Sequence, residues 1–171
     1  MSAGTPDKAA RDLDAIAKAV GLVVLHWASA EQSLDLLVAQ LWHSVNGKRY
    51  AKRLPMMLEP KIAFVRACMA SEPSLAAYQA AAEKLLNRFE SLSAVRHDLV
   101  HGAPASIAQV DNAFVFAKLD IRDGYHHHRE VRVDVNRYPA LVDDLIVLGQ
   151  EAYQLAANVF EQVKAGTPNV K

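Results

Sequence analysis

The chain has 171 residues, 51% of them hydrophobic, with 19 basic side chains balancing 19 acidic ones. That length suits one domain, or one domain with a small insert, and the apolar share can fill a sizeable core. Zero net charge excludes a globally basic nucleic-acid binder, so any contact with RNA has to be local. The single cysteine, Cys68, excludes an internal disulfide or a Cys-rich metal knot.

The first twenty residues alternate charges with alanine, and no run approaches the ~18 consecutive apolar residues of a membrane span. The expectation is a cytoplasmic protein without membrane association, with disordered ends at residues 1–6 and 166–171. Thr5-Pro6 is a helix-start signal. Leu13, Ile16, Val20, Val23, Trp27, Ala30, Leu34, Leu37 and Leu41 then recur at steps of three and four, a heptad-like stripe from about 7 to 45. Gly21 lies inside it, which leaves one bent helix or two helices open, and Asn46-Gly47 ends it.

Lys48-Arg49-Tyr50-Ala51-Lys52-Arg53 is a basic loop with one aromatic ring. Pro55 and Pro60 bracket the start of a short helix to about Ala70, with Ile62, Val65 and Met69 on one side. After the break at Ser71–Ser74, a longer helix runs from about 74 to 101 on Leu75, Tyr78, Ala82, Leu85, Phe89, Leu92, position 96 and Leu99. Gly102 and Pro104 stop it in the manner of a C-terminal glycine followed by proline.

The period then changes to two. Phe114 and Phe116 alternate, as do Val131, Val133 and Val135, around a turn signal at Asp123-Gly124. That register sets Phe116 opposite Val131 and Phe114 opposite Val133, an apolar face that needs helices to pack on. Asn136 is a candidate cap for the last helix, which carries Tyr138, Leu141, Leu145, Leu148, Ala152, Leu155 and Val159 to about 164. The fold class is mainly all-α. It is an antiparallel bundle of about four to five helices over 7–165, with a β-hairpin insert at about 112–136 before the last helix.

Chemistry concentrates at the end of the third long helix, in Arg96-His97-Asp98-Leu99-Val100-His101. Arginine stabilises phosphate charge, and histidine moves protons near neutral pH. Spacing alone is weak: Arg122 and His127 stand the same distance apart across a hairpin turn, where joint action has no rationale. Position 96, however, falls on the apolar stripe, where an arginine must reach the surface or be paired. His101 lies in the last helical turn, where the helix dipole favours imidazolium.

These residues resemble the signature of HEPN domains (higher eukaryotes and prokaryotes nucleotide-binding): an arginine, a polar residue, then a histidine four to six positions after the arginine. The flanking Leu-Ser-Ala-Val-Arg-His-Asp-Leu-Val-His-Gly is similar to bacterial members. So is a first helix with an acidic residue amid apolar ones, here Trp27-Ala28-Ser29-Ala30-Glu31. The hairpin insert is not a general feature of that family. The resemblance implies a metal-independent endoribonuclease of toxin–antitoxin or defence systems, without cofactor. It would work as a homodimer on RNA, with an antitoxin or other regulatory protein as a further partner.

Arg96 and His101 would be catalytic. His97 and Asp98 would orient the histidine or the phosphate, and Glu31 is a candidate partner for Arg96, since pairing relieves the cost of burying either charge. Lys48, Arg49, Lys52 and Arg53, with Tyr50 as a stacking surface, are candidate RNA contacts. Plainer readings stand beside these. Arg96 and His101 suit an interhelical salt bridge and a capping histidine, in a non-catalytic helical module for dimerisation or for nucleotide or partner binding. His97 and His101 lack the third ligand of a metal site, and the neighbours in His126-His127-His128 alternate between strand faces, so no metal is assigned.

Overall fold

A computed structural model describes residues 6–108 and 112–166. It is 73% helical, with four helices and a small three-stranded antiparallel sheet between the third helix and the last. The mainly-α class expected from periodicity therefore holds. The helices are α1 (Pro6–Ser44), α2 (Leu58–Ser71), α3 (Gln79–His101) and α4 (Tyr138–Gly166), and the strands are β1 (Ala103–Ala108), β2 (Ala113–Arg122) and β3 (Tyr125–Asp134). The expected disordered ends lie outside the described residues, apart from Pro6 and Gly166, which belong to α1 and α4.

α1 runs unbroken through Gly21, where an added Cβ would meet nothing within 4 Å. Along its stripe Ile16, Val23, Trp27, Ala30, Leu34, Leu37 and Leu41 are buried, but Leu13 is 59% exposed. Residues Ala10–Ser44 are long and apolar enough, by length and composition, to cross a membrane. A test for an unbroken apolar run misses this stretch because His26, Ser29, Glu31 and Gln32 interrupt it.

The chain divides into two compact units. One comprises Trp27–Ser91 and Ile146–Lys171. Its core holds Leu34, Leu37, Leu41, Ile62, Val65, Leu75, Leu86, Phe89 and Leu148. Trp27 meets Phe89 edge-on, with ring centroids 5.9 Å apart. The α1 segment turns away at Asn46, which takes the left-handed conformation, and Gly47 follows with only 2.7 Å between a hypothetical Cβ and the Trp42 Cα. The helix expected from about 74 begins instead with a 3-10 segment, Pro73–Tyr78, before α3 proper. Arg66 of α2 reaches Glu83, Asn87 and Glu90 of α3, an exposed network that holds the two helices in register.

The other unit comprises Met1–His26 and Leu92–Leu145, and it contains the sheet. β2 and β3 pair in the anticipated register, Phe114 with Val133 and Phe116 with Val131, around a two-residue turn at Asp123 and Gly124. Both turn residues have positive φ, 51° and 79°, as such a turn requires. β1 extends the hairpin to three strands in the order β1-β2-β3. It had no signal in the sequence, because Pro104 and the small residues around it read as a helix stop.

Phe114 packs edge-on against Tyr138, whose hydroxyl donates to the Ala19 carbonyl. Asn136 does not cap α4: its side-chain oxygen accepts from Asn112, and its own amide donates to Asp134. Nor is Gly102 a left-handed cap, since its φ is not positive. It is small because the sheet closes on the helix end: a Cβ there would lie 2.7 Å from both the Phe116 Cβ and the Asp98 carbonyl oxygen.

Candidate active site

The last turns of α3 carry Arg96, His97, Asp98 and His101, all within the sheet-containing unit. The i, i+4 spacing stacks His97 over His101 on one helix face, with ring centroids 4.5 Å apart and planes tilted by 52°. Both imidazoles are exposed. Burial of part of the His97 ring, then the nearby Lys118 ammonium and His101, lower its pKa from the ordinary histidine value. Its neutral form, able to accept a proton, is thereby favoured.

Arg96 is half-buried on the stripe. Its Nε is shielded from solvent and has no hydrogen-bond partner among the described residues. Leaving such a buried donor unsatisfied costs about 1–3 kcal/mol.

Asp98 is differently placed. Its carboxylate accepts from Lys118 Nζ at 2.6 Å and from both terminal nitrogens of Arg129, at 3.0 and 2.5 Å. Arg129 also donates through Nε to Asp120, 2.5 Å away. The bidentate Arg129 contact, then Lys118, hold the Asp98 carboxyl down at about 2 against the opposing effect of burial. Asp98 is thus the anchor of the hairpin on the helix end.

Lys118, Asp120 and Arg129 escaped sequence reasoning, although a signal existed. Lys118 and Asp120 share the parity of Phe114 and Phe116, and Arg129 that of Val131 and Val133, so all three lie on the apolar face. Lys118 is 7% exposed. A lysine there must find a carboxylate, and Asp98 supplies it.

Glu31 belongs to the other unit. It accepts from the Trp27 indole at 3.0 Å and from Lys61 at 3.2 Å, and Lys61 also meets Asp35 at 2.5 Å. Lys61 is buried, and it too could have been flagged, since it stands four before Val65 and seven before Cys68 on the apolar side of α2.

The basic loop lies in that same unit. Arg49 sits 5.6 Å over the Tyr50 ring and approaches Glu72 at 3.5 Å, and the Tyr50 hydroxyl donates to Glu72. That hydrogen bond raises the Tyr50 pKa. Lys48, Lys52 and Arg53 are exposed, and the last two border an open cavity of about 640 Å³ also lined by Phe64, Pro55 and Met57. Burial pushes the Cys68 thiol up to about 12, so it is no nucleophile at neutral pH. Among the described residues no group of three or more His, Cys, Asp or Glu side chains could hold a metal ion.

No protein-family model, no curated protein and no solved structure matches the chain.

Proposed function

We propose that the protein is a metal-independent endoribonuclease of the HEPN type, acting through Arg96 and His101. The observation that carries this reading is that Arg96, whose Nε has no hydrogen-bond partner among the described residues, shares the end of α3 with two exposed, stacked imidazoles. In the reaction, a neutral imidazole accepts the proton of a ribose 2′-hydroxyl, and the oxygen attacks the adjacent phosphorus. The 5′-oxygen leaves with a proton from an imidazolium, giving a 2′,3′-cyclic phosphate and a free 5′-hydroxyl. Arg96 stabilises the charge that develops on the phosphoryl oxygens.

His101 would supply the base from one copy and the acid from the other, with His97, held towards its neutral form, orienting the histidine or the phosphate. A homodimer would bring a second set of the same groups. The exposed Leu22 and Leu25, neighbours on one face of α1, would suit self-association. Lys48, Lys52 and Arg53 would add contacts to RNA backbone. The setting is a cytoplasmic toxin or defence system, with an antitoxin or other protein silencing the activity.

Incubation of pure protein with end-labelled RNA, with and without EDTA, tests the reading. Cleavage that survives EDTA and leaves cyclic phosphate ends is expected. Arg96→Ala and His101→Ala should each lower the rate by about 100-fold or more, the usual loss on removing such a group. Undiminished cleavage in both variants overturns the assignment.

A further inference from the structure

The two edges of the sheet are built differently. β1 is six residues long, contains Pro104, and slips register against β2 between Pro104 and Ser106. Proline and irregular register are devices that stop an edge from recruiting another strand. β3 has neither. It pairs with β2 through ten consecutive residues without a shift and contains no proline or glycine. Its outer edge has no strand partner among the described residues, and Tyr125 through Glu130 are exposed.

The tight turn fixes which amides face outward. Arg122 and Tyr125 close the two-residue loop, so the odd-numbered residues of β3 exchange hydrogen bonds with β2. The even-numbered ones, His126, His128, Glu130, Arg132 and Asp134, direct their amides to the free edge, and their side chains share one face. A second copy related by a two-fold axis normal to the sheet therefore pairs even positions with even positions.

Charge selects one register. Centred on Val131, it sets Glu130 opposite Arg132 twice and His128 opposite Asp134 twice. A shift one way sets Glu130 on Glu130 and His128 on Arg132; a shift the other way sets Arg132 on Arg132 and Glu130 on Asp134. Opposite charges across strands stabilise a pairing, and like charges oppose it. Glu130 and Arg132 already form a 2.6 Å ion pair within one chain, both about half exposed, so two copies would join these pairs into a cluster of four alternating charges.

We propose that β3 is a self-recognition edge, through which two copies join antiparallel about Val131 into a continuous six-stranded sheet. This rests on the sheet and its charges, not on the ribonuclease reading.

Site-specific cross-linking tests it. Directly opposed residues in such a ladder have Cα atoms about 5.5 Å apart, within disulfide range. The native Cys68 is buried and does not interfere. Glu130→Cys and Arg132→Cys proteins, mixed in equal amounts and mildly oxidised, should give a disulfide-linked dimer containing one of each, while neither alone does. No cross-link in the mixture, or an equally efficient one with Glu130→Cys alone, overturns the proposal. As a second arm, Glu130→Arg and Arg132→Glu should each lose this association in sedimentation velocity and recover it on mixing, because each repels itself and complements the other. Association unchanged in both single variants overturns it as well.

Discussion

Asp98 ties together two side chains from two strands, Lys118 and Arg129, and its chemistry sets an acid limit on the fold. Its folded pKa of about 2 lies below the ordinary carboxyl value, so its ion pairs stabilise fully above about pH 4 and are lost as pH falls towards 2. After allowance for partial solvent screening, that contribution is about 1–2 kcal/mol. Urea titrations of wild type and Asp98→Asn at neutral pH and near pH 3 check it. The variant should be weaker at neutral pH by that amount, with the difference shrinking in acid; a gap independent of pH would contradict the ion-pair account. His97 gives a second test. Part of its lowered pKa comes from Lys118, so Lys118→Met should raise the His97 midpoint towards the ordinary value in an NMR titration. An unmoved midpoint would remove Lys118 as a cause.

At the scale of elements, α1 is one helix across a glycine that serves no close approach. Gly21→Ala should therefore stabilise the protein by about 0.5–1 kcal/mol, measured as a higher denaturation midpoint with an unchanged slope. A loss of stability would mean that the position needs its freedom. The hairpin was legible almost residue by residue, since strict alternation around Asp123-Gly124 allows a single register. β1 was not legible, because strand pairing can recruit a short segment with no pattern of its own. Gly102 ends the helix as its sequence implies, but the requirement for glycine there comes from Phe116 across space and not from a cap conformation.

For the whole molecule, balanced charge limits how RNA can be held. If Arg96, Lys48, Lys52 and Arg53 are the cations that meet phosphate, four contacts at about −0.7 each give a slope near −3 for log affinity against log salt on single-stranded RNA. Fluorescence anisotropy across a salt series measures that slope. A value near −8 would require about eleven phosphate contacts, far more than these four cations supply. The same balance makes local placement decisive, because Tyr50 and Arg49 are partly engaged by Glu72 while Lys52 and Arg53 stand at an open cavity.

The sequence by itself determined the mainly-α class, the helix stripes, the hairpin register and the segment that carries Arg96 and His101. These follow from periodicity and turn chemistry, which act over a few neighbouring residues. Only the tertiary structure decided the partners of the charges. Asp98 meets Lys118 and Arg129, Glu31 meets Lys61, and Arg96 Nε has no partner among the described residues. A buried charge must be satisfied, but its partner can come from any distance along the chain, and local pattern does not encode that distance. The segment that ends α3 was therefore visible as a motif, while its anchoring to the sheet through Asp98 was set by packing.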